Sequence, residues 1–249
     1  IIHDTGVRGK LTYKKQMEGE VTGSPIFHNG MIINTENTQE QKSQIIRYLL
    51  NKIEFASVTQ WVDLGVPGSP AAEGDYIYVV DRTGCLYKYF NKSETEIKKI
   101  WVNPEKSGDF DYARPLNSYT LFSPTIGHKY IYIPIQHYNS ASFNGPGAVI
   151  AVDKEKGYTH KIKTFSTMLK SNILYWKPCP TEDQDYVFVF AYDGTAWVLD
   201  GQTLEPVEWF YDKETKQKQT AVKLFPVTGS SAPEMVIADS YLLITDGQG

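Results

Sequence analysis

Short runs of β-branched and aromatic residues alternate with turn residues along most of the chain. Five times a small residue or a proline is followed, within four to eight residues, by such a run, beginning at Gly23, Gly68, Ser123, Pro178 and Ser231. The prolines of these phrases are spaced 45, 54, 54 and 55 residues apart, at Pro25, Pro70, Pro124, Pro178 and Pro233. Runs rich in Tyr, Val, Ile, Phe and Trp predict strands, and a recurrence of this length predicts an array of similar units.

Each unit contains enough strand signals for four strands. A turn with glycine precedes the third run, as at Gly84 and Gly194, where positive φ suits a tight hairpin. A fourth run ends near a tryptophan, within Val58–Val62, Ile97–Val102 and Val207–Phe210. We therefore predict an all-β fold, a β-propeller of four-stranded antiparallel blades. It forms a single domain over residues 1–249, with blades starting near residues 23, 68, 122, 176 and 230. Because an aromatic that recurs once per unit usually packs between units, we assign Trp61, Trp101 and Trp209 to blade packing.

One segment fits two kinds of secondary structure. Between Gln41 and Phe55, apolar residues have the spacing of one helix face, at Ile45, Ile46, Leu49, Leu50 and Ile53. In register with the other repeats, the same segment is the third strand of its blade. We predict a strand.

The two chain ends can be combined into one blade. Gly9–Tyr13 predicts a third strand and a fourth follows through Gly19, whereas the last repeat stops at Gly249 after two strands. We expect residues 1–20 to complete the last blade and close a five-bladed ring, because closure removes exposed strand edges. The alternative is a segment of a larger propeller with seven or eight blades. Ile1–Gly6 favours this alternative because it resembles a second strand and its turn.

Composition excludes several functional classes. The chain has 249 residues, 41% of them hydrophobic, which excludes wholesale disorder. No apolar run approaches the ~18–20 residues that a membrane span needs, so we predict that the chain does not span a membrane. A net charge of −4 argues against a nucleic-acid partner. Cys85 and Cys179 form no disulfide framework, and we expect two free, buried thiols.

Candidate binding residues fall into two groups. The innermost strands would line a channel with the positions that are equivalent by repeat, which are Ser24, Ser69, Ser123, Lys177 and Ser231. Small residues there also let strands crowd the axis, which is the simpler interpretation. Two insertions around the third blade combine aromatic rings with amides and charged groups, which suits sugar or peptide binding. Their candidate residues are Asp109, Phe110, Asp111, Tyr112 and Arg114 in the first, and His137, Tyr138, Asn139 and Phe143 in the second. Ordinary decorated surface loops remain the alternative.

No pattern predicts catalytic residues, a metal site or a cofactor. The five histidines form no ligand pattern, and neither a nucleophile elbow nor a phosphate-binding glycine loop is present. The oxygen-rich pairs around Asp109 and Glu182 lack the glycine and terminal glutamate of a calcium loop. We therefore predict a protein that is not an enzyme.

A family resemblance rests on the segment Ala151–Gly157, which reads Ala-Val-Asp-Lys-Glu-Lys-Gly. It resembles the tryptophan-docking motif of quinoprotein-type propellers with repeats of the pyrroloquinoline-quinone kind. Asp200–Thr203, followed by Trp209, is a looser copy. The resemblance implies four-stranded blades. Quinone-dependent members hold their cofactor beside a disulfide of adjacent cysteines, with a calcium ion, and this chain has no Cys-Cys pair.

These observations lead to one preferred function. We predict a non-catalytic propeller that is a rigid binding, adhesion or assembly scaffold, with a protein or carbohydrate ligand on the loop face. It resembles propellers that scaffold envelope assemblies or sit on extracellular proteins, which implies an extracellular, cell-surface or periplasmic location and a place in a larger protein or assembly. The alternative is a carbohydrate-active enzyme, which needs two carboxylates about 5–10 Å apart. The innermost strands offer no acidic residue at matching positions. A quinone-dependent dehydrogenase is the least favoured function.

Overall fold

The computed structural model describes residues 2–3, 11–13, 20–37, 43–49, 60–62, 65–91, 97–104, 118–138, 145–224, 234–238 and 241–245. Within these ranges there is no helix. The strands of the described residues are, in chain order, β1 (Ile2–His3), β2 (Leu11–Tyr13), β3 (Glu20–Val21), β4 (Ile26–His28), β5 (Met31–Asn37), β6 (Ser43–Leu49), β7 (Gln60–Val62), β8 (Ala71–Glu73), β9 (Tyr76–Val80), β10 (Leu86–Phe90), β11 (Lys98–Asn103), β12 (Thr125–Ile126), β13 (Tyr130–Ile135), β14 (Ala148–Asp153), β15 (Thr159–Thr164), β16 (Leu174–Trp176), β17 (Tyr186–Phe190), β18 (Thr195–Asp200), β19 (Phe210–Tyr211), β20 (Lys218–Gln219), β21 (Ala221–Lys223), β22 (Met235–Ala238) and β23 (Tyr241–Ile244).

The strands form successive antiparallel sheets that follow the chain. Blade 1 consists of β3 and β4 on one edge of β5, followed by β6 and β7. Blade 2 contains β8–β11, blade 3 contains β12–β15, and blade 4 contains β16, β17, β18 and β21. The innermost strands β4, β8, β12, β16 and β22 contact one another in that order. This arrangement confirms the predicted β-propeller of four-stranded antiparallel blades.

The ambiguous segment after residue 41 is a strand, as predicted. β6 pairs with β5 over its whole length, from Asn37 opposite Ser43 to Met31 opposite Leu49. The ladder turns Ile33 and Ile45 towards blade 2, where they pack with Ile77 and Val79. Packing between blades therefore overrides the helical spacing.

The fourth strand of blade 4 differs from the prediction. Val207–Phe210 was expected to form it, but only the start of this run follows the sheet, through the N–H of Val207 on the carbonyl of Val198. The chain then leaves as the hairpin β19–β20 and returns as β21, which pairs with β18. The prediction that Val207–Phe210 forms the fourth strand was therefore wrong, because Trp209 and Phe210 instead pack on the face of the blade.

The chain ends form two small sheets. β22 pairs with β23, and β1 pairs with β2. Among the described strands no ladder joins these two sheets, so closure of the ring by residues 1–20 stays a prediction. Glu20 itself belongs to blade 1, because β3 pairs with β5.

The core lies between the blades. Ile33 and Ile45 of blade 1 pack with Ile77 and Val79 of blade 2, and further clusters join blades 2 and 3 and blades 3 and 4. Another cluster joins blade 4 to β22–β23 and contains Trp176, Tyr186 and Trp209. Both faces of a blade are therefore covered, which explains the continuous apolar runs of strands such as β17.

Candidate binding site

One end of the blades carries the turns between second and third strands together with the connections between blades, and we call it the loop face. In blades 2, 3 and 4, the connection before the innermost strand pairs with the end of the second strand of the same blade. The N–H of Arg82 donates to the carbonyl of Gly65 in blade 2. Isolated bridges join Tyr119 to His137 in blade 3 and Leu169 to Ala191 in blade 4. The bridge in blade 3 places His137 on the loop face.

His137 and Tyr138 are the candidate loop residues whose positions are described. The Tyr119 N–H donates to the His137 carbonyl at 2.8 Å, and the reverse bond measures 3.0 Å. Their rings stack with centroids 6.3 Å apart. His137 is buried, and burial lowers the pKa of its imidazole. Tyr138 is half-buried, and its N–H donates to Pro146, which ties together both ends of the connection from β13 to β14.

The other candidate residues of the two insertions lie outside the described residues. They are Asp109, Phe110, Asp111, Tyr112, Arg114, Asn139 and Phe143. Whether they bind a ligand together with His137 and Tyr138 stays a prediction.

The innermost strands are linked by a relay of hydrogen bonds from blade to blade. The Ser24 N–H donates to Ser69 Oγ at 2.8 Å, and the Ser69 N–H donates to Ser123 Oγ at 2.8 Å. The Ser123 N–H then donates to Asn172 Oδ1 at 2.9 Å. Asn172, not Lys177, is therefore the equivalent residue in blade 4. Lys177 follows β16 instead of preceding it, and Ser231 lies outside the described residues.

Glycines beside the relay bring the blades close together. A Cβ on Gly23 would lie 2.6 Å from the carbonyl oxygen of Gly68, and a Cβ on Gly68 would lie 2.7 Å from the nitrogen of Ser123. The small residues thus allow backbones of neighbouring blades to touch.

Two carboxylates on the loop face are occupied by their own turns. Asp81 Oδ1 accepts bonds from the N–H groups of Thr83 and Cys85, and its Oδ2 accepts the Tyr87 hydroxyl. Asp193 Oδ1 accepts the N–H of Thr195. Such Asx-type contacts stabilise the hairpins, and at the buried Asp81 they engage both carboxylate oxygens together with the Tyr87 bond.

The segment that resembles a tryptophan-docking motif receives Trp101 of the preceding blade. A Cβ on Gly157 would lie 2.6 Å from Cδ2 of the Trp101 ring, so the indole packs directly on the glycine. Asn103 Nδ2 donates to the Gly157 carbonyl at 2.8 Å. The turn is held by Asp153 Oδ1, which accepts two backbone N–H groups. In this chain the motif joins blade 2 to blade 3.

A buried lysine strengthens the same junction. The Lys88 ammonium donates to the carbonyl of Lys154 at 2.8 Å and lies 4.1 Å from the centroid of the Tyr76 ring. Burial lowers its pKa, although carboxylates nearby act in the opposite direction. Cation–π attraction and the inter-blade hydrogen bond together offset the cost of burying the charge.

Asp185 is a buried carboxylate at the junction of blades 3 and 4, with 3% of its surface exposed. Its Oδ2 accepts the Tyr175 hydroxyl at 3.0 Å, and its Oδ1 has no hydrogen-bond partner among the described residues. Tyr132 of blade 3 reaches the same place and donates to the Gly201 carbonyl. Burial raises the pKa of Asp185, and the Asp200 carboxylate adds to this; Tyr175, Lys177 and His128 act in the opposite direction.

We expect Asp185→Asn to stabilise the protein at neutral pH. A raised pKa in the folded state means that the folded protein binds the proton more tightly than the unfolded chain, so stability falls as pH rises from the ordinary value of 3.8 through the raised one. Asparagine removes this loss. Thermal unfolding at pH 7.5 should show a Tm increase of ~2–4 °C, the effect of about 1 kcal/mol in a domain of this size.

The matched control is Asp183→Asn, since the Asp183 side chain lies in the same loop and is 86% exposed. It should leave Tm unchanged at pH 7.5 and at pH 3.5. At pH 3.5, the increase in Tm caused by Asp185→Asn should be smaller than at pH 7.5. A lower Tm for Asp185→Asn at every pH would contradict the assignment and indicate that Oδ1 needs its negative charge.

Sequence reasoning missed the buried charged residues. Lys88 lies in the middle of β10, and Arg47 lies in the middle of β6 with its Nη1 donating to Asn91 Oδ1 at 2.6 Å. A charged residue flanked on both sides by strand-forming residues was the available signal. Cys179 also differs from the prediction: both cysteines are free, but only Cys85 is buried, whereas Cys179 is half-exposed in the loop after β16.

The described part of the chain contains no helix with the length and apolar character of a membrane span. Among the same residues, no group of three or more His, Cys, Asp or Glu side chains is arranged to hold a metal ion.

Comparison with known proteins shows the fold. No known family profile matches the sequence, and no curated protein matches it. A quinohemoprotein alcohol dehydrogenase from Pseudomonas putida HK5 is similar in structure, with a TM-score of 0.56 and 12% identity over 93% of this chain and 39% of its own. A europium-containing methanol dehydrogenase has a TM-score of 0.58 and 10% identity over 92% of this chain and 47% of its own. Sqt1 of Saccharomyces cerevisiae has a TM-score of 0.52 and 11% identity over 78% of this chain and 49% of its own.

The chain thus spans less than half the length of each of these structures. At such identities the likeness concerns the fold alone. The protein has a β-propeller fold of the kind found in quinoprotein dehydrogenases.

Proposed function

We propose that the protein is a non-catalytic propeller that presents its loop face as a rigid binding or assembly scaffold. The carboxylate of Asp81 is the observation that carries this proposal. It lies at the loop face, where a propeller enzyme would place its catalytic groups, but it is buried, and both of its oxygens accept hydrogen bonds from its own hairpin. The inter-blade bonds of Ser69, Ser123 and Asn103 add support, since they make the scaffold rigid.

The ligand site of this proposal surrounds His137 and Tyr138. The bridge between Tyr119 and His137 and the bond from Tyr138 to Pro146 fix the base of this region in space. Aromatic rings next to hydrogen-bonding groups suit a sugar or a protein segment. The ligand of the proposal is therefore a carbohydrate or a protein.

A glycan array tests the carbohydrate form of the proposal. Wild-type protein should bind a defined set of glycans, and Tyr138→Ala should reduce this binding about tenfold by removing one stacking or hydrogen-bonding contact. Tyr158→Ala is the control, because Tyr158 is an exposed tyrosine in the connection between β14 and β15, at the end of the blade opposite the loop face. A blank array would remove the carbohydrate ligand and leave the protein ligand.

Two assays test the absence of catalysis. Incubation with aryl glycosides and with a quinone plus an electron-accepting dye should produce neither hydrolysis nor dye reduction. Activity in either assay would overturn the proposal in favour of a carbohydrate-active enzyme or a quinone-dependent dehydrogenase.

An extracytoplasmic location is part of the same proposal. It rests on the resemblance to propellers of envelope and extracellular assemblies. Cell fractionation followed by mass spectrometry of the natural protein tests it. Recovery from the cytosolic fraction would contradict it, and a much longer native chain would identify the propeller as one part of a larger protein.

A further inference from the structure

Lysines occupy the outer side of three successive blades. β11, β15 and β21 are the outermost strands of blades 2, 3 and 4, and the hairpin that contains β20 is inserted between Val207, which pairs with β18, and β21. In each of the three blades, this outer region contributes two lysines that are exposed or half-exposed. We call the set the basic rim, and its members are Lys98, Lys99, Lys161, Lys163, Lys218 and Lys223.

The positive charge of the basic rim is only partly neutralised. Glu205 faces two of the lysines, with its carboxylate 4.0 Å from Lys161 Nζ and 3.4 Å from Lys163 Nζ. Within the described part of the chain the other four lysines make no ion pair. Since the whole chain has a net charge of −4, the rim lysines contrast with the net charge of the protein.

Exposed apolar side chains and unpaired backbone groups lie among these lysines. Ile100 follows Lys99 on β11, Ile162 lies between Lys161 and Lys163 on β15, and both are exposed. Tyr211 on β19 is 60% exposed beside β20. Outermost strands also present N–H and C=O groups along their free edge. Ammonium groups, hydrogen-bonding groups and apolar faces together match an acidic sugar polymer.

Protection of sheet edges does not account for the whole pattern. Lysine on an edge strand prevents edge-to-edge pairing, which explains single lysines on β11 and β15. It does not explain Lys218, which lies in a hairpin that has left the sheet of blade 4.

The shape of the rim selects the kind of partner. Outer strands of successive blades follow a curved surface, so a flat bilayer would meet one blade closely and lose contact with its neighbours. A flexible linear polymer can follow the curve and meet all three blades. We propose that the basic rim binds a linear acidic polysaccharide that carries carboxylate or sulfate groups.

The test uses polygalacturonate and dextran sulfate as probes, with neutral dextran for comparison. Binding of each labelled polymer to the full chain is measured by fluorescence anisotropy at 50 and 500 mM NaCl. Both acidic polymers should bind and neutral dextran should not, and salt should weaken binding because it screens exposed charges. The rim variant carries Lys98→Gln, Lys161→Gln and Lys218→Gln, one substitution per blade, and should bind about tenfold more weakly.

The matched control carries Lys129→Gln, Lys156→Gln and Lys177→Gln. It has the same change in net charge as the rim variant. Its lysines lie in the connections at the end of the blades opposite the loop face, away from the basic rim. Its affinity should change by less than about twofold if position, not net charge, decides binding. An equal loss in both variants, or no binding of either acidic polymer, would overturn the proposal.

Two further outcomes are decisive. Vesicles containing phosphatidylserine that bind while both polymers do not would overturn the proposal in favour of a lipid surface. Tyr138→Ala should bind both polymers like wild type, so failure at the loop face and failure at the rim remain distinguishable.

Discussion

Replacing Gly157 with alanine should lower the free energy of unfolding by roughly 3 kcal/mol, because two costs add at this position. The glycine has φ of +77°, where any L side chain is strained. Its new Cβ would also lie 2.6 Å from the Trp101 ring. The indole must then move out of the junction between blades 2 and 3. Urea unfolding followed by tryptophan fluorescence measures both the loss of stability and the altered environment of Trp101.

Gly30→Ala separates the two costs. Gly30 has φ of +74°, and a Cβ there would meet nothing within 4 Å. Its substitution should therefore cost only the backbone strain, about 1 kcal/mol. Equal losses for the two variants would show that Trp101 does not dock tightly on Gly157. A double variant with Trp101→Leu should lose less than the sum of its single substitutions, since the shorter side chain relieves the clash.

The blades were predictable because their strands are covered on both faces. A strand such as β17, Tyr186–Phe190, is apolar at every position, and hairpin turns with glycine separate it from the next strand. Such a signal needs no knowledge of the neighbouring blade. The strand character of β6 was equally accessible, once the repeat took precedence over the helical spacing of Ile45 and Ile46.

The start of blade 4 was not predictable from the recurring prolines that mark the other repeats. In blades 1 to 3 a proline follows the serine of the relay, but the equivalent Asn172 is followed by isoleucine. Pro178 lies after β16, so the prediction that took Pro178 as the repeat proline placed the start of blade 4 too late and selected Lys177 as the equivalent residue. What unites Ser123 and Asn172 is an acceptor oxygen two residues before the strand, which is a chemical property and not a residue identity.

The contacts between blades were the least predictable part of the fold. Lys88 meets Lys154 across 66 positions of sequence, and Tyr132 meets Gly201 across 69. Each partner alone looks like an ordinary strand or turn residue. The candidates His137 and Tyr138 were selected from the sequence because the insertion that contains them interrupts a regular repeat, and their role in binding stays a prediction.

Gly68→Ala should cost about 3 kcal/mol as well, for a reason that differs from the one at Gly157. Its Cβ would lie 2.7 Å from the nitrogen of Ser123 and 2.8 Å from the carbonyl of Phe122. These are backbone atoms of the next blade, and they cannot rotate away as the end of a side chain can. Blades 2 and 3 would have to separate near the axis, which also stretches the bond from the Ser69 N–H to Ser123 Oγ.

Gly74→Ala is the control for this substitution. Gly68 and Gly74 flank the same innermost strand, β8, but a Cβ on Gly74 would meet nothing within 4 Å. At φ of +58° it should cost about 1 kcal/mol through backbone strain alone. Urea titration gives both values, and hydrogen exchange should show faster exchange of the Ser69 amide in Gly68→Ala only. If Gly68→Ala proved no more harmful than Gly74→Ala, the backbones would have room to spare, and close approach of blades at the axis would not explain the small residues there.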